Sequence, residues 1–224
     1  MASQIRIPEA STATEQVPAQ TPETPTTSIA DPGPLGLAGF AATTFMLSVF
    51  NANLIKDPKL LLAVLPVALF YGGLAQLLAG MWEFKKGNTF GATAFSSFGA
   101  FWLSYAALVK FVAPGLPAAT AYKVIGLYLL IWTVFTAYML IASLRSTGAV
   151  ALVFAVLTVT FVLLTIGAWD QSAKITHIGG WAGLVTAVVA WYASFAGVTN
   201  ATWGRPVLPV VPLNGTSRRS GHRA

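Results

Sequence analysis

The run AVALVFAVLTVTFVLLTIGAW, residues 149–169, decides the fold class. It contains no Asp, Glu, Lys or Arg, and its apolar residues alternate at neither the helical nor the strand period. A helix of about 20 apolar residues, rising 1.5 Å per residue, spans the roughly 30 Å hydrocarbon core of a bilayer. A lone strand is excluded, because its backbone groups would stay unpaired in lipid. Working outward, four similar blocks precede this one, at Leu35–Ile55, Leu60–Trp82, Phe90–Val112 and Tyr122–Leu144, and one follows at Ile175–Val198. The expected fold is therefore an all-α membrane protein with six transmembrane helices.

The composition agrees. Charged residues make up 9% of the 224 residues, whereas soluble domains average about 25%. So few charges cannot cover a water-exposed surface. There is no cysteine, which excludes disulfides, thiolate metal sites and cysteine nucleophiles. The net charge of +6 arises from 13 Lys+Arg against 7 Asp+Glu. These cations lie in loops and tails with no basic, aromatic-interleaved helix, so nucleic acid is set aside as a partner.

Three regions are expected. Residues 1–34, rich in Pro, Thr, Ser, Ala and Glu, form a solvated N-terminal tail. They lack a charged start followed by an apolar core, so no cleaved signal peptide is expected. Residues 35–200 form the six-helix domain, and 201–224 a polar C-terminal tail. Breakers mark the connections: Lys56-Asp57-Pro58-Lys59, Lys85-Lys86-Gly87-Asn88, Pro114 to Pro117, Arg145-Ser146-Thr147-Gly148, and Asp170 to Lys174. Six spans put both tails on one side. That side holds Arg6, Lys85, Lys86, Arg145, Arg205, Arg218, Arg219 and Arg223; the other holds Lys56, Lys59, Lys110, Lys123 and Lys174. The excess, eight against five, assigns both termini to the cytoplasm and the chain to the inner membrane.

Ionised groups in lipid are costly, so the scarce carboxylates stand out. Gly72, Gln76, Gly80 and Glu83 share one face of the second helix. That face suits a pore wall or a tight helix contact; the plainer reading pairs Glu83 with Lys85 or Lys86 at the interface. On the first helix, Phe40, Thr44, Leu47 and Asn51 recur at similar spacing. On the third, Thr93, Ser97 and Ser104 lie on or near one face, with Ser96 beside it. Hydroxyls bind a carboxylate without fixed charge and release it readily, as a conduit requires. Equally, Ser and Thr bond their own helix carbonyls. His177, the one histidine within a span, changes charge near neutrality, which allows proton coupling; a histidine bonded between helices explains it as well. Gly179 with Gly183, and Gly87 with Gly91, are small-residue pairs of the kind that pack helices. No metal-ligand spacing occurs, and neither metal nor cofactor is expected.

Several stretches carry a family resemblance. DPGPLGLAGF at 31–40, YGGLAQLLAGMWEFKKGNTFGATAFSSFGAFWLSY at 71–105, ITHIGGWAGL at 175–184 and GRPVLP at 204–209 resemble the acetate uptake transporter family, also called the succinate–acetate permeases. The likeness covers about residues 31–210. It implies a hexameric ring of six-helix protomers, each with its own pore. It implies acetate as main substrate, with succinate and other short carboxylates as further ones. It also implies a pore constriction at Phe40, Phe98 and Leu157. Phe98 stands where the family commonly has tyrosine, and Asp31 replaces the opening asparagine of its signature. Asp31 is expected to cap a helix start and not to contact ligand.

These readings combine into a membrane channel or transporter for acetate-like anions. Thr44, Asn51, Gln76, Thr93 and Ser97 are candidate contacts along the path, and Glu83 and Asn88 organise one end of the second helix. The alternative within the class is proton-coupled symport through Glu83 or His177. A membrane enzyme or sensor is disfavoured: no nucleophile or metal set clusters near the spans, and the tails are too short and polar to form a sensor domain.

Overall fold

The computed structural model of the protein describes residues 29–213. Most of the N-terminal tail lies outside them, including Arg6, as do Arg218, Arg219 and Arg223. Six long apolar helices form the bundle: α1 Gly33–Asn51, α2 Pro58–Lys86, α3 Thr89–Gly115, α4 Ala121–Ser143, α5 Gly148–Trp169 and α6 Ala173–Trp203. Each matches one expected block in order, so the chain is a multi-pass membrane protein.

The ends differ from the hydropathy boundaries for identifiable reasons. α1 begins earlier, at Gly33, because the Asp31 carboxylate accepts the Gly33 N–H at 2.9 Å and Pro34 suits a first helical turn. α1 ends at Asn51, before the expected Ile55, where Asn53 turns to φ 60°. α2 and α6 run past their apolar blocks. At 31 residues α6 is about 46 Å long, well beyond the hydrocarbon core, so its last turns stand in the interface. α2 stops at Gly87, whose φ of 79° makes a left-handed cap.

α1 packs broadly on α6, α6 on α5, α5 on α4, and α2 on α3. Small residues permit these contacts. A Cβ on Gly180 would collide with the backbone of Asn51 and Ala52, and one on Gly80 with Ser96. A π-helical turn at Phe70–Ala75 in α2 brings Gly72 against Thr43 and Trp102. The α3–α4 seam has few close backbone approaches and is filled by aromatics instead. Phe101 stacks on Tyr128 at 5.9 Å, and Phe98 meets Trp132 and Phe135 at 6.1 and 5.3 Å.

The segment after α6 departs from the expected polar tail. Residues 204–213 fold back as a strap across the end of the bundle where α1 starts and α6 finishes. Asn200 holds it: its Oδ1 accepts the N–H groups of Val207 and Leu208, and its Nδ2 donates to the Leu208 carbonyl. Gly148 and Ala149, the first residues of α5, donate N–H groups to the Val211 and Val210 carbonyls. Tyr192 donates its hydroxyl to Pro209. Of its VLPVVPL run only Leu208 and Val210 are half-buried and the other side chains are exposed, so hydrogen bonds more than apolar burial hold the strap.

Candidate functional site: two cavities and an aromatic waist

Two cavities lie end to end within the bundle. One, of about 580 Å³, opens at the end carrying residues 29 and 213, here the terminal end. The other, of about 300 Å³, reaches toward the far end. Phe40 and Leu157 line both cavities, and Phe98 lines the first. All three are buried, and the Phe40 and Phe98 ring centroids lie 5.4 Å apart. Side chains from α1, α3 and α5 therefore meet between two hollow spaces. Phe98 is fixed from every side, contacting Phe40, Phe101, Trp132, Phe135 and Phe154 within 6.5 Å.

The other candidates separate into those on the path and those off it. Gln76, Glu83 and Asn88 line the terminal cavity, and Thr44 and Asn51 the far one. Thr93 and Ser97 line neither, because each sits about 100° round α3 from the next residue, Ala94 or Phe98, which faces the cavity. His177 lines neither cavity. Of the small-residue pairs, Gly179 packs on Leu164 and Gly183 on Ser48.

Glu83 is 1% exposed. Its Oε2 accepts the Asn88 amide at 2.8 Å and lies 3.9 Å from Lys86 Nζ. Asn88 also accepts the Gly91 N–H, capping α3, so one side chain ties the carboxylate to a helix start. Positive helix ends at Gly33 and Gly91 flank Glu83. Lys86 bonds Asp31 at 2.8 Å. The carboxylate is thus the buried member of a polar cluster in the wall of a cavity, and not a simple surface pair with Lys85.

Most span threonines donate to the carbonyl four residues back, as Thr43, Thr133, Thr136, Thr158, Thr160, Thr165 and Thr186 do. Thr44 does not; its buried Oγ1 has no partner, nor have Gln76 Oε1, Trp102 Nε1 and Ser96 Oγ. Buried polar atoms are usually satisfied; Thr44, Gln76 and Trp102 line the two cavities, where ligand or water contacts explain the exception, whereas Ser96 packs against Gly80 and lines neither. Trp102 lines the far cavity and escaped sequence reasoning, as did Arg145, Val210 and Pro212 of the terminal cavity. A tryptophan among many in apolar spans gives no pattern to find. The strap residues were missed because a short proline-rich run carries no helical or strand period. Among the described residues no group of three or more His, Cys, Asp or Glu is placed to hold a metal ion.

The chain matches the sequence model of the GPR1/FUN34/yaaH family over residues 13–215. It is 42% identical over 184 residues to the succinate-acetate/proton symporter SatP of Escherichia coli K12, covering 82% of this chain and 96% of that protein. It is 40% identical over 208 residues to acetate permease A of Emericella nidulans, covering 84% and 69%. Among solved structures, that of the bacterial acetate channel SatP superposes with a TM-score of 0.75 at 42% identity, over 81% of this chain and 99% of that one.

Proposed function

The chain belongs to the GPR1/FUN34/yaaH family, and from that premise we propose that it carries acetate and related small carboxylates, succinate among them, across a membrane. The observation that carries this reading is the pair of cavities meeting at one apolar waist, in a chain whose relatives bear the names of acetate carriers. Phe40, Phe98 and Leu157 form the gate. Apolar constrictions restrict passage by dewetting, and a small hydrated anion crosses when the rings part enough for a short water column. Gln76 and Glu83 with Asn88 order the terminal approach, while Thr44 and Asn51 receive the anion beyond the gate. Transport, not enzymatic turnover, is the activity, and no cofactor takes part. The protomers assemble as a hexameric ring, each with its own pore. The chain resides in the inner membrane with both termini in the cytoplasm, so that the larger cavity faces the cell interior.

Labelled acetate uptake into liposomes holding the purified protein tests the reading. The external pH is held well above the carboxyl range, where leak of the neutral acid is small. Uptake faster than in protein-free liposomes is expected, and equal rates would refute the proposal.

A second reading is proton symport. It is favoured by a carboxylate, Glu83, buried in the wall of the path, and by the symporter name of the E. coli relative. The solved relative is described as a channel instead. Acetate current that follows voltage with no accompanying proton movement supports the channel. Acidification of the lumen coupled to acetate entry supports symport.

A further inference from the structure

The terminal cavity is lined by four ionisable side chains: Asp31, Glu83, Lys86 and Arg145. They are not equivalent. Lys86 sits 2.8 Å from Asp31 Oδ1 and 3.9 Å from Glu83 Oε2, so two carboxylates answer its charge. Arg145, on the α4–α5 connection, has no carboxylate within 4.0 Å among the described residues. Asp31 and Lys86 are both partly exposed, whereas Glu83 is buried. Lys86 is thus answered by Asp31 and Glu83 together, and Arg145 is the one lining cation without a carboxylate within 4.0 Å among the described residues. Of the two carboxylates, Asp31 is the closer to Lys86 and the one exposed at the mouth.

We infer that Asp31 determines charge selectivity at this mouth: by pairing Lys86 it leaves Arg145 as the single capture cation and favours monocarboxylates over dicarboxylates. This rests on the carboxylate-transport reading above and adds a residue to it. The reasoning is electrostatic. A low-dielectric, concave wall concentrates the field of its charges on an entering ion. A dianion feels any change in that field twice over. Removing one negative charge therefore multiplies acetate capture by some factor and succinate capture by the square of it. The succinate-to-acetate ratio rises by the factor itself. For one charge about 4–10 Å from the path in a water-like dielectric, the interaction is about 0.4–1 kcal/mol and the factor is about two to five.

Asp31 also accepts the Gly33 N–H, so its charge must be removed without its cap. Asn keeps an oxygen in that place, which makes Asp31→Asn the discriminating variant. Flux of labelled acetate and of succinate is measured per inserted protein, at neutral pH where both carboxyls of succinate are ionised. Asp31→Asn is expected to raise acetate flux and to raise the succinate-to-acetate ratio by about two- to five-fold. Asp31→Glu, which keeps the charge, should hold the wild-type ratio. Arg145→Gln should lower flux of both acids, and the ratio with it. Raising ionic strength from low to about 1 M, where the screening length falls to about 3 Å, should erase these differences. An unchanged ratio in Asp31→Asn with normal insertion overturns the inference, as does an effect that salt leaves intact or full acetate flux in Arg145→Gln at low salt. Wild-type protein that moves no acetate would instead overturn the transport reading itself, which keeps the two failures distinct.

Discussion

At the scale of single residues, Glu83 carries the sharpest consequence. Two sequence readings competed for it, an interfacial pair with a neighbouring lysine and a brace of the path. Its side chain is almost wholly buried, bonded to Asn88 and set between two helix starts. An exposed pair contributes about 0–1 kcal/mol and is nearly silent when removed. Leaving a buried partner unsatisfied costs about 1–3 kcal/mol. Glu83→Gln keeps the shape and one oxygen for the Asn88 donor, but removes the negative charge facing Lys86 at 3.9 Å and puts an NH2 where the second oxygen stood. Acetate flux per inserted protein is expected to fall several-fold, and wild-type flux would leave Glu83 a structural member of the cavity wall with no part in conduction. Phe98 makes the matching test of the waist. Phe98→Ala removes a ring that touches five others and should cost about 3–5 kcal/mol of stability. If the residue also gates, succinate should pass faster relative to acetate in the protein that does insert. Phe98→Tyr should keep acetate flux substantial. Equal flux ratios in wild type and Phe98→Ala would remove the residue from selectivity. Composition marks none of the three waist residues, since Phe and Leu are ordinary in a membrane helix; the family resemblance supplied them. Conversely, the unpartnered Thr44 hydroxyl stands apart from its bonded neighbours only once the helices are placed.

At the scale of elements, hydropathy located all six helices because lipid enforces one rule along each whole span. Which face of a helix looks inward is a finer matter, and on α3 the hydroxyl spacing pointed the wrong way round the axis. Thr93 and Ser97 share a face, but the cavity takes the adjacent one with Gly91, Ala94 and Phe98. No periodicity distinguishes a polar stripe facing a path from one facing a neighbouring helix. The strap at 204–213 shows the complementary limit. Its stability lies in backbone groups of Val207, Leu208, Val210 and Val211 meeting Asn200 and the first turn of α5. Such main-chain pairing leaves no mark in residue types. Asn200 is the clasp, with three hydrogen bonds through one amide. Asn200→Ala leaves the half-buried Leu208 N–H and carbonyl without a partner, at up to about 1–3 kcal/mol each, while the exposed Val207 N–H turns to water. Amide exchange at Val207 and Leu208, and at Gly148 and Ala149 beneath the strap, should then quicken at least ten-fold. Unchanged protection at all four would mean that packing of the proline-rich run, and not the clasp, holds the strap down.

At the scale of the whole molecule, the open question is which way the two unequal cavities face. Six spans place residues 29 and 213 at one end, with the larger cavity. Orientation in a bilayer follows the Lys and Arg near span ends. Among the described residues the two sides nearly balance, with Lys85, Lys86, Arg145 and Arg205 against Lys56, Lys59, Lys110, Lys123 and Lys174. The excess thus depends on Arg6, Arg218, Arg219 and Arg223, and chiefly on the last three, which follow α6 within about 15–20 residues. If those arginines hold the C-terminus in the cytoplasm, the paired Asp31–Lys86 mouth is the intracellular one. The absence of native cysteine makes this directly measurable, because a single introduced thiol has no background. Ala119→Cys places a thiol on the exposed α3–α4 connection, at the far end, and Ser217→Cys places one beyond the strap. A membrane-impermeant thiol reagent added to intact cells should label the first and spare the second, and permeabilisation should expose the second. Replacing Arg218, Arg219 and Arg223 together by Gln removes the excess and should produce a mixed population in which both thiols react from outside. Labelling of Ser217→Cys in intact cells carrying otherwise unaltered protein would invert the molecule and place the larger cavity outside the cell.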